Sequence, residues 1–559
     1  MVRSRAVQLE VERLSLAPID ALGSIYTRSG IVHFMLDLSG YVSTADLAKL
    51  RILEPSFGEG GFLFEIVNRL IKSYLLFDGL LEDVKLLEDC IRAVEIHRVT
   101  YEKTKKKLSQ LLIDYGVTIP DAQSLVEKWL ICDDFLLVDF KGTFTHVVGN
   151  PPYVRIESLS DLLVGEYRER FSTMKNRADL YIPFFEKGLT LLAPEGLLSF
   201  ICSDRWVKNT YGAGLRNLIQ RDFFIKYYID ATGYPCFEQD VSVYPSIVVI
   251  TRKRSLQGTR RIQLTTTSNL KNISKNFESQ NLGAADTSAQ PIGHSYDQHD
   301  IILSSPLVSE ILKVLAAFPK IEEVGCKIGI GVATGRDDIY INKLSDLPVE
   351  NEAKIPLLMR EDIQSGKVRS NGWGLVNPFC SDGTLRVLND WPQLKTFFEL
   401  HEQTLKKRYV AKKNPKSWYR TIDKIDSELL KKPKLLIPDI SNYINVVYDK
   451  GEFYPHHNLY YITSNEWDLK ALATILRSSL IQFLIRNFST TVRGGYFRCQ
   501  AQFLRKLPLV PWGPLSQKLK ADLADLHVSS DLGAIDDIVY PLFNLTNSQR
   551  ERILTAIKE

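Results

Sequence analysis

Between residues 51 and 251 the chain alternates short β-branched apolar runs with longer segments whose apolar positions recur every three to four residues. Runs of the first kind suit strands buried on both faces, and segments of the second kind suit helices that cover a sheet. Strands are predicted at 51–53, 93–96, 130–132, 144–148, 197–202, 225–229 and 246–250, and helices near 62–74, 100–114, 179–192 and 214–221. The order implies a doubly wound, seven-stranded α/β domain of Rossmann-like type. No helix of ten residues separates the last two strands, so they should pair as an antiparallel hairpin at the sheet edge.

From about 265 to 300 the apolar positions thin out in favour of Ser, Asn, Thr and Gln, a pattern too polar to support a core. A catalytic-type domain over 1–262, a linker or surface excursion over 263–300 and a second domain over 301–559 follow from this division. The second domain mixes strands, turns and helices without βα alternation, and its tail, 515–558, reads as helical.

Composition excludes some classes. At 559 residues, 45% apolar and 24% charged, the chain is neither disordered nor fibrous and needs at least two cores. No run approaches a membrane span, and the first residues lack a basic-then-apolar leader, so a cytoplasmic protein without a membrane partner is expected. Seven scattered cysteines form neither a disulfide framework nor a metal-ligand cluster. Charge is uneven: residues 1–250 carry 28 Lys+Arg against 33 Asp+Glu, and residues 251–559 carry 42 against 33. The later part is therefore the candidate polyanion binder.

The densest chemistry lies in Asn150-Pro151-Pro152-Tyr153, directly after the predicted strand at 144–148. Neither proline has an N–H, so the turn cannot rejoin a backbone ladder and its carbonyls stay open to a ligand. The Asn150 side-chain oxygen and the Pro151 carbonyl could each accept one N–H of a planar exocyclic amine while Tyr153 stacks on the attached base.

Upstream, Glu54-Pro55-Ser56-Phe57-Gly58-Glu59-Gly60-Gly61 follows the first strand and opens a helix, as a nucleotide-type loop does. It lacks the third glycine of the dinucleotide fingerprint, and Glu54 and Glu59 would repel a pyrophosphate. A cofactor without phosphate suits it, and the cationic S-adenosylmethionine is one. At the next two strand ends, Glu95 is placed to accept two ribose hydroxyls, and Asp134-Phe135 offers an acceptor and an aromatic face for an adenine.

Taken in order, these motifs resemble the amino-group DNA methyltransferases, specifically the gamma-class, Taq-type adenine-N6 enzymes of bacterial restriction–modification and related defence systems. The resemblance extends over nearly the whole chain. Ile25-Tyr26-Thr27 with Val32 and Met35 is similar to the family's segment that closes over the methionine part of the cofactor, and 178–196 to the helix and turn behind the tetrad. Gly331-Val332-Ala333-Thr334-Gly335, His456-His457-Asn458-Leu459-Tyr460, 493–498 and 504–508 resemble its specificity domain.

The resemblance implies S-adenosylmethionine as cofactor, held by Tyr26, Thr27, Glu54, Pro55, Ser56, Gly58, Gly60, Glu95, Ile96, Asp134 and Phe135. It implies Asn150, Pro151, Pro152 and Tyr153 as the catalytic tetrad, with Phe237 as the second aromatic around the target base. Double-stranded DNA is the implied partner, in a bacterial, nucleoid-associated setting, with a cognate restriction endonuclease or defence-system protein as a further candidate. Two departures stand out: Arg28 occupies a usual proline position, and the long interval from Gly60 to Glu95 implies an insertion near 73–89.

Adenine N6 in a duplex is paired and stacked, so the nucleotide must be extruded at a cost of a few kcal/mol. Stacking on Tyr153 and Phe237, at about 1–3 kcal/mol per base, would offset that. Transfer from a sulfonium to an amine requires neither a metal nor a covalent intermediate. For the DNA backbone, residues 406–420 put seven cations and three aromatics into 15 positions with no acid among them. Lys406, Lys407, Arg408, Lys412, Lys413 and Lys416 are the candidate phosphate contacts, with Arg493 and Arg498 as alternative groove readers. N4-cytosine methylation stays open as an alternative, although Asn at 150 favours adenine over the Ser-based variant. Methylation of RNA or of protein glutamine also stays open.

Overall fold

A computed structural model describes residues 3–18, 23–175, 178–239, 244–253, 259–278, 290–292, 306–363, 366–489, 491–492 and 496–558. The chain divides into two compact units, 1–309 and 310–559. In the first unit the elements run α1 (Arg5–Ser15), α2 (Ser29–Leu38), β1 (Ile52–Glu54), α3 (Gly61–Leu76), β2 (Ile91–Glu95), α4 (Arg98–Asp114), α5 (Ile119–Trp129) and β3 (Leu130–Cys132). They continue with β4 (Phe144–Gly149), α6 (Asp161–Arg170), α7 (Tyr181–Thr190), β5 (Leu192–Ser203), α8 (Arg205–Lys208), α9 (Ala213–Asp222), β6 (Phe224–Asp230), β7 (Pro245–Thr251), β8 (Thr259–Gln263), α10 (Leu270–Glu278) and β9 (Gln290–Ile292).

The strands form one sheet in the order β3-β2-β1-β4-β5-β7-β6-β8-β9, the first five mutually parallel. Seven of them are the predicted strands. The sheet itself has nine, and the hairpin is not at its edge: β7 runs antiparallel between β5 and β6, and β8 adds to β6 in parallel. Every residue of β7 is buried, as an interior strand requires. The polar segment read as a linker is partly built into this unit. It contributes α10, whose Ile273 is 4% exposed in the core, and the edge strand β9, while 279–289 and 293–300 lie outside the described residues.

Both faces of the sheet are covered. On one, α2 to α5 pack Met35, Leu63, Leu70, Leu108 and Trp129 against it, and on the other α6, α7 and α9 pack Tyr167, Phe185 and Leu215. Parallel register brings Glu54 beside Ala93 and Glu95 beside Cys132, so the C-terminal ends of neighbouring strands open on one crevice. The long interval after α3 is filled by residues 77–90, with a short 3₁₀ turn at Val84–Leu87.

The second unit is mixed. One four-stranded sheet joins Cys326–Ile330, Leu459–Ser464, Lys434–Pro438 and Val447–Asp449; another joins Ile341–Lys343, Trp373–Val376, Lys354–Leu358 and Tyr454–Pro455. The motif at 331–335 lies against the one at 456–460: Val332 bridges to His456, and a Cβ on Gly331 would fall 2.2 Å from the His456 carbonyl oxygen. The tail is helical, as predicted, at Gln517–Asp525, Leu532–Leu542 and Asn547–Lys558.

Candidate active site

A cavity of about 480 Å³ opens at the C-terminal ends of β1 to β4. Tyr26, Thr27, Glu54, Pro55, Ser56, Gly58, Glu95, Ile96, Asp134 and Phe135 all line it, and Asn150, Pro151 and Pro152 form another part of the wall. Gly60, Tyr153 and Phe237 are not part of that lining. Gly60 instead shapes the loop: it caps α3 at φ +90°, where a Cβ would stand 2.6 Å from the Phe64 ring.

The wall is acidic. Among the described lining residues six are carboxylates and one, Arg13, is a cation. Burial, with Glu95 alongside, raises the Glu54 carboxyl well above the usual range, and its Oε2 is buried without a hydrogen-bond partner. Glu95 is also raised by burial, although its two oxygens accept from the Gly58 N–H at 2.9 Å and the His97 N–H at 2.8 Å. Each of those oxygens keeps a further lone pair, as a ribose diol needs. A cationic ligand with an adenosine part fits this wall, because it would neutralise Glu54 where a phosphate would be repelled.

Beside Glu95 along the strand ends, Asp134 is 4% exposed. Its Oδ1 accepts from the Leu136 N–H at 2.8 Å and its Oδ2 from the Tyr167 hydroxyl at 2.6 Å. Phe135 is a buried core ring as well as a wall, 4.9 Å from the Phe184 ring. The Lys187 ammonium donates to the Phe135 carbonyl at 2.6 Å, and burial brings it down to about 8.

At the tetrad, the Asn150 amide is oriented by its own donors. Nδ2 donates to the Ile25 carbonyl at 2.9 Å and to the Thr27 hydroxyl at 3.2 Å. The Oδ1 acceptor is buried and has no partner. The Ser56 hydroxyl donates to the Asn150 carbonyl at 3.0 Å, tying the Gly-rich loop to the tetrad. Phe237 is beside Tyr153, with ring centroids 6.3 Å apart at 82°, so the two stand edge to face rather than as a parallel slot. A flat ring would fit between them only after that contact opens, at a cost of about 0.5–1.5 kcal/mol.

The segment before the Gly-rich loop is stitched to the Phe237 turn. Arg28 N–H donates to the Cys236 carbonyl at 2.9 Å, Arg28 Nε to the Phe237 carbonyl at 2.7 Å, and Glu238 N–H to the Tyr26 carbonyl at 3.0 Å. Arg28, the departure from proline, thus anchors the turn that carries the second aromatic.

The basic cluster of the second unit divides. Lys406, Lys407, Lys412, Lys413 and Lys416 are exposed, Lys406 pairing with Glu402 at 2.6 Å. Arg408 does not fit a phosphate contact: its guanidinium donates to the carbonyls of Leu405, Thr334, Trp418 and Arg420 and to the Tyr340 hydroxyl, so its donors are spent inside the fold. Trp418 and Tyr419 pack on Phe398, and Arg498 pairs with Asp439 at 3.2 Å. Arg493 lies outside the described residues.

Sequence reasoning missed Tyr167, Phe184, Arg13, Leu14, Ala17, Pro18, Gly23 and Ser24 of the wall. Tyr167 reaches the cavity from a helix beyond the tetrad, and no local spacing marks it.

Residues 43–237 match the Eco57I restriction-modification methylase family, and residues 395–509 match the TaqI-like C-terminal specificity domain. The type II methyltransferase M.PaeR7I of Pseudomonas aeruginosa is 40% identical over 544 residues, 96% of this chain and 94% of that protein. M.XhoI of Xanthomonas vasicola is 38% identical over 96% of this chain and 100% of its own length, and M.BstVI of Geobacillus stearothermophilus 40% identical over 96% and 98%. Among solved structures, the type IIL restriction-modification enzyme MmeI in complex with DNA superposes with a TM-score of 0.62 at 12% identity, covering 98% of this chain and 77% of that one.

Proposed function

The chain belongs to the type II DNA methyltransferases, which use S-adenosylmethionine, and we propose that it methylates N6 of an adenine turned out of double-stranded DNA. The observation that carries this is the Asn150 amide, whose donors are committed to Ile25 and Thr27 and whose buried Oδ1 has no partner. A buried carbonyl oxygen left unpaired costs about 1–3 kcal/mol, and an exocyclic amine removes that cost.

S-adenosylmethionine bound in the cavity supplies a methyl group on a positively charged sulfur. Asn150 Oδ1 and the Pro151 carbonyl would accept hydrogen bonds from the two N–H groups of the amine and turn its lone pair out of ring conjugation. Tyr153 and Phe237 hold the base by its faces. Glu54 would hold the cationic end of the cofactor, Glu95 its ribose and Asp134 its adenine. Positioning, rather than acid–base chemistry, supplies most of the rate. The exposed lysines 406, 407, 412, 413 and 416 hold the DNA backbone.

Asn at 150 supports adenine over cytosine as the target. Nucleoside mass spectrometry of DNA methylated by the purified chain tests this: N6-methyl-2′-deoxyadenosine is expected, and N4-methyl-2′-deoxycytidine as the sole product would overturn it.

A further inference from the structure

Tyr167 is on α6, ten residues and more beyond the tetrad, yet its side chain crosses to the cofactor cavity. It is 2% exposed, and its hydroxyl meets Asp134 Oδ2 at 2.6 Å. With Leu136 N–H on Oδ1, the Asp134 carboxylate is held by one donor on each oxygen. A carboxylate so clamped cannot rotate, and each oxygen has a lone pair left for a ligand.

We propose that Tyr167 is a positioning residue for cofactor recognition, its hydroxyl fixing the plane of the Asp134 carboxylate so that the exocyclic amine of the cofactor adenine meets a preset acceptor. The proposal rests on reading the cavity as the S-adenosylmethionine site. A charge-assisted O–H···O⁻ bond of this length is strong and favours the ionised carboxylate. Burial acts the other way and raises the Asp134 carboxyl, while the Tyr167 and Leu136 donors lower it. Other charged groups act on Asp134 as well: Asp133, itself paired with Arg3 at 2.7 Å, and Lys187 on α7. Burial pushes Lys187 down to about 8, on the alkaline side, whereas the raised Glu54 and Glu95 of the same cavity contribute acid limbs of their own, so the limb assigned to Asp134 is the part that moves when Tyr167 or Asp134 is changed.

The test uses the full chain, a cognate DNA duplex and S-adenosylmethionine between pH 5 and 9. Tyr167→Phe should raise the cofactor KM roughly tenfold with kcat unchanged, as loss of a hydrogen bond to a charged group predicts. The acid limb of cofactor affinity should move to higher pH. Preference for S-adenosylhomocysteine over its inosine analogue, which lacks the amine, should shrink in direct binding measurements. An unchanged KM, acid limb and adenine preference would overturn the role of Tyr167 while leaving the cavity assignment intact. Failure of the wild-type chain to bind S-adenosylhomocysteine would instead remove the cavity assignment. Should Tyr167→Phe misfold, Asp134→Asn carries the test. Its KM should rise and the Asp134 part of the acid limb should be lost, leaving that of Glu54 and Glu95, and an Asp134→Asn enzyme with a wild-type cofactor pH profile would overturn the proposal.

Discussion

Asn150→Ala separates chemistry from folding more cleanly than other changes at this site. The substitution deletes the Oδ1 acceptor and, with Nδ2, the two bonds to Ile25 and Thr27. Two neutral hydrogen bonds contribute about 1 kcal/mol each to stability, and removing an unpaired buried oxygen returns about 1–3 kcal/mol. These terms nearly cancel, so the melting temperature should shift by no more than a few degrees. Catalysis has no such compensation. Loss of one positioned hydrogen-bonding group at a reacting centre costs about 10²–10³ in kcat, roughly 2.7–4 kcal/mol. Single-turnover transfer of tritiated methyl groups to DNA measures that step, with fluorescence anisotropy reporting DNA affinity. Asn150→Asp is the companion variant: it keeps an acceptor but faces the Ile25 carbonyl with an oxygen, so it should lose stability as well as rate. Transfer by Asn150→Ala within threefold of wild type, with DNA bound normally, would refute the role assigned to the amide.

Glu54 gives a pH prediction of unusual sign. Its folded carboxyl is raised, so the unfolded chain releases that proton first and stability falls as pH rises from the unfolded value toward the folded one. Glu54→Gln should therefore melt higher than wild type at neutral pH without ligand, lose that advantage in acid, and bind S-adenosylmethionine more weakly; equal melting curves at both pH values would count against the buried charge. Gly60→Ala forces a Cβ to 2.6 Å from Phe64 at a positive φ and should cost about 1–3 kcal/mol, read as a lower urea midpoint. Lys412→Ala with Lys413→Ala should lower the slope of log affinity against log salt by about 0.9 for each phosphate no longer neutralised, with melting unchanged. Arg408→Ala should do the reverse and destabilise the second unit, since its donors serve backbone carbonyls there.

The row of Glu54, Glu95 and Asp134 along the cavity is legible in the sequence because each follows a short apolar run, and parallel strands bring such ends together whatever connects them. Glu54, Glu95 and Asp134 need only the strand order. The helix α5, absent from the predicted elements, carries a signal as well: Ala122, Leu125, Val126 and Trp129 fall on one face behind a Thr118 cap that accepts from the Asp121 N–H. The sheet edge carries none. In β8 only Thr259 and Ile262 are buried, so Thr-Arg-Arg-Ile-Gln reads as loop until β6 is beside it. Arg408 misleads for a different reason. A run of cations marks a surface, but an arginine has enough donors to be drawn inside by carbonyls, and sequence does not separate the two fates.

Glu54 Oε2 and Asn150 Oδ1, both without a partner, connect stability to function. Both are buried, both belong to residues of one cavity wall, and each is of the kind that native folds seldom leave unpaired. A carboxylate asks for a cation and an amide oxygen for a donor N–H, so the wall calls for two different ligands. Each ligand that binds the folded chain alone adds stability in proportion to the logarithm of its concentration over Kd. Cofactor should then raise melting in Asn150→Ala as much as in wild type, and much less in Glu54→Gln. If both variants respond alike, the two atoms do not mark separate ligands and the assignment of Glu54 to the cofactor and Asn150 to the amine is wrong.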